Sequence, residues 1–92
     1  MGSEVLSLRI VLFAGAREIV GLEEVLLELR LGEEASGLKA EAVLQRLGEL
    51  YPRLGDLLPS CRLAVDCEFV SGETLIDRSA NELALIPPVS GG

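Results

Sequence analysis

One stretch, Leu38 to Tyr51, carries helical spacing, and it stands between strand-like patterns on both sides. Ala40, Val43, Leu44, Leu47, Leu50 and Tyr51 fall on one face of that helix; Lys39, Glu41, Gln45, Arg46 and Glu49 take the other. Ser36 is placed to cap it, its hydroxyl accepting from a free backbone N–H. Pro52 ends it, because the proline ring is incompatible with the continuing ladder. Gly48 weakens it by about 1 kcal/mol relative to alanine. A single helix covers only one face of a sheet. A chain with one main helix and several strands is therefore expected to be an α+β domain whose sheet is bare on the far side.

The strands read as follows. Leu6 to Phe13 alternates, with Leu6, Leu8, Ile10 and Leu12 on one face and Ser7, Arg9, Val11 and Phe13 on the other. Ala14 to Val20 is a short helical or irregular connection closed by Gly21. Glu24 to Leu31 alternates again, Val25, Leu27, Leu29 and Leu31 inward, and pairs antiparallel with the first strand. After the helix, Leu54 to Leu58 forms one more short turn. Arg62 to Val65 and Glu68 to Val70 are short strands around Asp66-Cys67. Thr74 to Asp77 is a minor strand or extended loop, Ser79 to Asn81 a turn, and Leu83 to Ile86 the final strand. The order β-β-α-β-β suits a β-grasp, or ubiquitin-like, fold: a mixed sheet with the main helix on one face. There the first and last strands lie side by side and parallel, and the helix supplies the covered crossover that parallel neighbours need. Leu83 and Leu85 then point to the helix. Ala84 and Ile86 point away from it, beside Val11 and Phe13, with Phe69 near. Apolar groups gathered on an uncovered face imply a partner surface.

The final strand runs directly into Pro87-Pro88-Val89-Ser90-Gly91-Gly92. The prolines end strand pairing and leave the chain extended. Gly91 and Gly92 have no side chain and pass through a channel too narrow for other residues. From Pro88 the extended chain reaches roughly 16 Å at about 3.3 Å per residue. Residues 1–87 are thus expected to form the domain, and 88–92 a tail that enters another protein's pocket.

Charge and composition remove several functions. The 92 residues suit one core, and the hydrophobic fraction of 49% suffices to build it. The net charge of −7 repels phosphate backbones, which excludes nucleic acid and favours a basic protein partner. No apolar run approaches the roughly 18 residues of a membrane helix, and no signal peptide is visible, so a cytoplasmic protein is expected. Histidine is absent, which removes the commonest general base and most zinc sites. The pairs Glu23-Glu24 and Glu33-Glu34 read as solvated surface, since adjacent side chains diverge. Cys61 and Cys67 read as buried or idle thiols, with no spacing that sets either beside the tail. No metal or cofactor site is expected, and the chain is not equipped to catalyse alone.

Across nearly its whole length the sequence resembles the small, sulfur-carrying subunit of molybdopterin synthase. Val11-Leu12-Phe13-Ala14 with Ala16-Arg17-Glu18-Ile19-Val20-Gly21 resembles that family's first strand and loop. Ala64 to Val70 resembles its central hairpin, and Glu82 to Gly92 its ending. Other Gly-Gly carriers and modifiers usually lack the preceding Pro-Pro. Asp66 stands where the family commonly has Asn, and Ala80 where Gly is frequent, leaving Asn81 as the residue suited to a left-handed conformation. The resemblance implies that a ubiquitin-activating-like adenylyltransferase uses ATP to adenylate the Gly92 carboxylate, and that sulfur then replaces AMP to give a thiocarboxylate. The loaded tail (Pro87, Pro88, Val89, Ser90, Gly91) inserts into the large catalytic subunit, docked through Phe13, Phe69 and Ile86, in an assembly of two small and two large subunits. The alternatives are a ubiquitin-like protein modifier and a sulfur carrier of another pathway, such as thiazole synthesis or tRNA thiolation.

Overall fold

Alternation at the start of the chain becomes a strand pair. β1 (Glu4–Leu12) leads through a short helix, α1 (Ala14–Val20), into β2 (Glu24–Leu31). The strands run antiparallel in unbroken register from Glu4↔Leu31 to Val11↔Glu24. Direct opposites share a face, so Leu6, Leu8 and Ile10 meet Leu29, Leu27 and Val25, all buried. The computed structural model describes residues 4–31, 37–77 and 79–88. Phe13 falls outside β1, contrary to the expected strand end. It is the residue that precedes α1, still extended at φ −124°, while Ala14 turns to φ 46° and starts the helix. Gly21 closes α1 in the left-handed conformation, φ 85°, as its position suggested.

Next come β3 (Gly37–Lys39) and α2 (Ala40–Leu50). The helix starts at Ala40, not after Ser36, which lies outside the described residues. Lys39 occupies the N-cap position without a side-chain bond. The physical reason is tertiary. The N–H groups of Ala40 and Glu41 donate to the carbonyls of Thr74 and Gly72, both at 2.9 Å, so backbone from a distant loop replaces a capping side chain. Ala40, Val43 and Leu47 are buried, and Leu44 and Tyr51 half-buried. Leu50, inward by spacing, lies in the last turn and is 45% exposed. A Cβ on Gly48 would stand 3.0 Å from Leu58 Cδ1, so the weak helix former allows the following segment to pack closely. That segment is two short 3-10 turns, Pro52–Leu54 and Leu58–Ser60.

The last four strands are β4 (Arg62–Val65), β5 (Glu68–Val70), β6 (Leu75–Asp77) and β7 (Leu83–Ile86). The main sheet has the order β2-β1-β7-β4-β5, with β7 parallel to β1 and antiparallel to β4. This is the β-grasp arrangement, with α2 within the crossover. Sequence spacing did not reveal β3, which pairs with β6 in a separate two-stranded sheet. Three residues are too few to show a period. The core lies between the main sheet and α2, built almost wholly from Leu, Ile and Val. No described helix is long and apolar enough to cross a membrane.

Candidate functional site: the uncovered sheet face

The bare face of the sheet is centred on β7. Leu83 and Leu85 are buried toward the core, so Ala84 and Ile86 project the other way and are half-buried. Register then fixes the neighbours. Ala84 stands opposite Val11 on one side and Ala64 on the other; Ala64 in turn faces Phe69. Ile86 stands opposite Arg62.

Ala64, Phe69, Ala84 and Ile86 border a hollow of about 220 Å³, which Val11 and Arg62 do not line. Ala64 and Ala84 make its floor, and their small side chains leave the depth. Phe13, Phe69 and Ile86 make the walls, and Cys67 and Glu82 close the rim. Phe13 is 44% exposed and Phe69 57%, although both are large and apolar. The Arg62 guanidinium lies 4.8 Å from the Phe69 ring centroid, a cation–π contact. The hollow is smaller than the roughly 300–1,000 Å³ of a cofactor pocket. Its size and lining suit one apolar side chain of a protein partner.

A larger groove of about 650 Å³ runs between β2 and α2. It is lined by Glu28, Arg30, Gln45, Arg46 and Glu49 among others, and no described residue from Leu83 onward borders it. The smaller hollow is the better candidate because the tail leaves from its own floor strand. No group of three potential metal ligands occurs among the described residues.

The turn beside the hollow is fixed by an acid. Asp66 and Cys67 both adopt positive φ, 49° and 72°, which closes the tight β4–β5 hairpin. Asp66 Oδ1 accepts from the N–H groups of Asn81 at 3.0 Å and Glu82 at 2.9 Å, which ties the turn to the start of β7. The left-handed residues are therefore Asp66 and Cys67, not Asn81 as expected. Asp, like Asn, tolerates this region because its short side chain bonds locally.

Both cysteines are free thiols, as the sequence reading favoured, and Cys67 is exposed at the rim of the hollow. The β4–β7 pairing ends at Arg62↔Ile86, so Cys61 is the next residue beside the start of the tail. Its thiol turns away, donating to the Leu57 carbonyl at 3.3 Å, and burial pushes its pKa up. Neither thiol is in a disulfide. Glu23 and Glu24 are exposed; Glu33 and Glu34 lie outside the described residues.

Of the residues singled out in the sequence, Phe13, Phe69 and Ile86 come together around one hollow. Pro87 is buried and Pro88 exposed. Val89, Ser90, Gly91 and Gly92 lie outside the described residues. Sequence reasoning missed Ala64, Cys67, Glu82 and Arg62. The Asp66-Cys67 turn carried the signal for the first and last: a two-residue turn fixes the register of β4 on β5, and with it which β4 residues share the face of Phe69.

Comparison with known proteins adds a relationship to this geometry. A family model described as the ThiS family matches residues 10–92. The "Molybdopterin synthase sulfur carrier subunit" of Dictyostelium discoideum is 35% identical over 85 residues, covering 91% of this chain and 94% of that protein. The protein of the same name from Chlamydomonas reinhardtii is 31% identical over 90 residues, covering 95% and 100%. Among solved structures, the small archaeal modifier protein 1 of Methanosarcina acetivorans superposes with a TM-score of 0.73 at 27% identity, covering 97% of this chain and 99% of that one.

Proposed function

The chain belongs to the ThiS family, and from that membership we propose that it is the sulfur carrier of a molybdopterin synthase, delivering sulfur from its own terminus to a pterin precursor held by a larger catalytic subunit. One observation carries the reading. The strand that leads to Pro87, Pro88 and Gly92 is the centre strand of the sheet, and an apolar hollow lies on it. A partner that seats on Phe13, Phe69 and Ile86 thereby receives the tail. The likeness to two named sulfur carriers, 35% and 31% identical over 91% and 95% of this chain, supports the choice of pathway.

With Gly92 as the terminal residue, the chemistry runs as follows. The Gly92 carboxylate attacks the α-phosphate of ATP on an adenylyltransferase, and pyrophosphate leaves. Sulfide attacks the acyl adenylate, AMP leaves, and a thiocarboxylate results. A carboxylate acylates poorly until its oxygen becomes a good leaving group, which is what adenylation supplies. The carrier then docks, and the thiocarboxylate sulfur bonds to a carbon of the precursor and displaces a leaving group from it. Water cleaves the acyl–sulfur bond, which leaves sulfur on the precursor and restores the Gly92 carboxylate. The carrier supplies a portable acyl group and the partners supply the catalysts, so it is not an enzyme on its own. Two carriers serve two large subunits, in the cytoplasm.

A second reading, a protein modifier, is favoured by the likeness to the archaeal modifier. Both readings share the adenylate and part at the attacking group. The deciding measurement is the intact mass of the protein after incubation with activating enzyme, ATP and a sulfur source, with the C-terminal peptide sequenced. One oxygen-for-sulfur exchange at Gly92 is expected. Recovery of Gly92 chiefly in isopeptide conjugates to lysine would replace the carrier reading with the modifier.

A further inference from the structure

β2 stands at one end of the main sheet, and its outer edge pairs with no strand among the described residues. One bond fixes the direction of every backbone group along that edge. The Leu12 N–H donates to the Glu23 carbonyl at 2.8 Å, and the β1–β2 register makes these residues direct opposites. In an antiparallel pair, hydrogen-bonded opposites alternate with non-bonded ones. Val25, Leu27 and Leu29 therefore turn their backbone groups inward to β1. Glu24, Leu26, Glu28 and Arg30 turn theirs outward. The side chains of these same four residues are exposed, on the bare face of the sheet.

We propose that this edge is an interface with a second copy of the chain. β2 pairs antiparallel with β2 of the other copy about a two-fold axis at Leu27. Leu27 then faces Leu27, Leu26 faces Glu28, and Glu24 faces Arg30 of the second copy. The charges select this register. Each Glu24 gains an opposite charge directly across the strands, twice per dimer. Centring the axis on Leu26 sets Glu24 against Glu28, and centring it on Glu28 sets that carboxylate against itself. A shift of one residue opposes buried positions to exposed ones.

Three further features agree. Leu26 is 67% exposed, more than any other large apolar side chain described, and the two Leu26 side chains become diagonal neighbours across the axis. The two Glu28 carboxylates occupy the other diagonal and are free to spread into solvent. β2 has no proline, no lysine and no bulge over its length, and the charges it does carry, Glu24, Glu28 and Arg30, are the ones that set the register. Glu24 already pairs with Arg9 of the inner neighbour at 3.5 Å, on exposed surface, so Arg30 of the second copy adds a second opposite charge to it. The net charge of −7 on each copy opposes association, so the dimer is weak and concentration-dependent. β1 separates β2 from β7, which leaves the hollow free to seat its own partner in the dimer.

The test is a charge exchange followed by sedimentation equilibrium on the whole chain. The wild-type mass is expected to rise from the monomer value of 9.8 kDa toward twice that value between micromolar and millimolar concentration. Glu24→Arg sets arginine against Arg30, and Arg30→Glu sets glutamate against Glu24. Each variant alone should associate roughly tenfold more weakly. An equimolar mixture of the two restores both opposite-charge pairs, and its mass should return to the wild-type curve. Thermal unfolding of each variant checks that the fold is intact. A wild-type mass that stays at 9.8 kDa at millimolar concentration overturns the proposal and leaves the edge to another partner or to none. So does a mixture of two folded variants that associates no better than either alone.

Discussion

Asp66 and Glu82 are joined by two reciprocal hydrogen bonds. The Asp66 N–H donates to the Glu82 carbonyl at 2.8 Å, and Asp66 Oδ1 accepts the Glu82 N–H at 2.9 Å. One residue thus closes the β4–β5 turn and sets the start of the strand that leads to the tail. Asp66→Ala removes the acceptor and puts a less suited residue at φ 49°. It is expected to cost about 1–3 kcal/mol in urea unfolding. Asp66→Asn keeps both the acceptor and the tolerance for positive φ, and should stay within about 1 kcal/mol of wild type.

Docking should depend on the hollow and not on exposed apolar surface in general. Phe13→Asp is expected to weaken calorimetric binding to the large synthase subunit by at least about 2 kcal/mol, the scale of an interface hot spot. The fold should change little, because surface substitutions usually stay within about 0.5 kcal/mol. Leu26→Asp is the control: an equally apolar loss, made outside the hollow, should leave that affinity unchanged. Equal losses from both variants would argue against the hollow.

β3 and β6 approach too closely for any side chain at Gly37. A Cβ there would collide with the Ile76 carbonyl and stand 3.1 Å from the Asp77 Cβ. Gly37→Ala is expected to cost about 1–3 kcal/mol. Hydrogen exchange should locate the damage: the Ala40 and Glu41 amides, which bond to the loop before β6, should lose protection before β1 and β2 do.

The two thiols should react in a fixed order. Cys67 is exposed and should alkylate first at neutral pH. Cys61 is half-buried with its pKa raised by that burial, so it should react more slowly than Cys67 and gain more from a rise in pH. A folded-state pKa above the unfolded one contributes stability that is present below the unfolded value and lost as pH rises through the folded value. Stability should therefore fall on the alkaline side, and a Cys61→Ser variant should fall less. Under the carrier proposal, neither thiol holds the sulfur. The variant with both cysteines changed to serine should still gain one sulfur at Gly92.

Much of this molecule was legible in one dimension. Strict alternation at Leu6–Leu12 and Val25–Leu31 specified both faces of the first hairpin, because a side-chain period of 2 leaves no choice once one face is apolar. The same parity on Leu83–Ile86 separated Leu83 and Leu85 from Ala84 and Ile86. One helix for a whole sheet foretold that a face would stay bare. What the linear pattern lacked was set by partners far along the chain. Lys39 sits at the N-cap because Gly72 and Thr74 supply the acceptors, and β3 exists because β6 lies beside it. Phe13 reaches the hollow from a helix N-cap, not from a strand, because the chain leaves the extended conformation at Ala14. Asp66 takes the left-handed position because Asn81 and Glu82 donate to its carboxylate. Side-chain periodicity is a local property, repeated over a few residues, and sequence carries it faithfully. Caps, short edge strands and turn handedness depend on which backbone groups distant segments leave to be satisfied, and only the folded chain decides that.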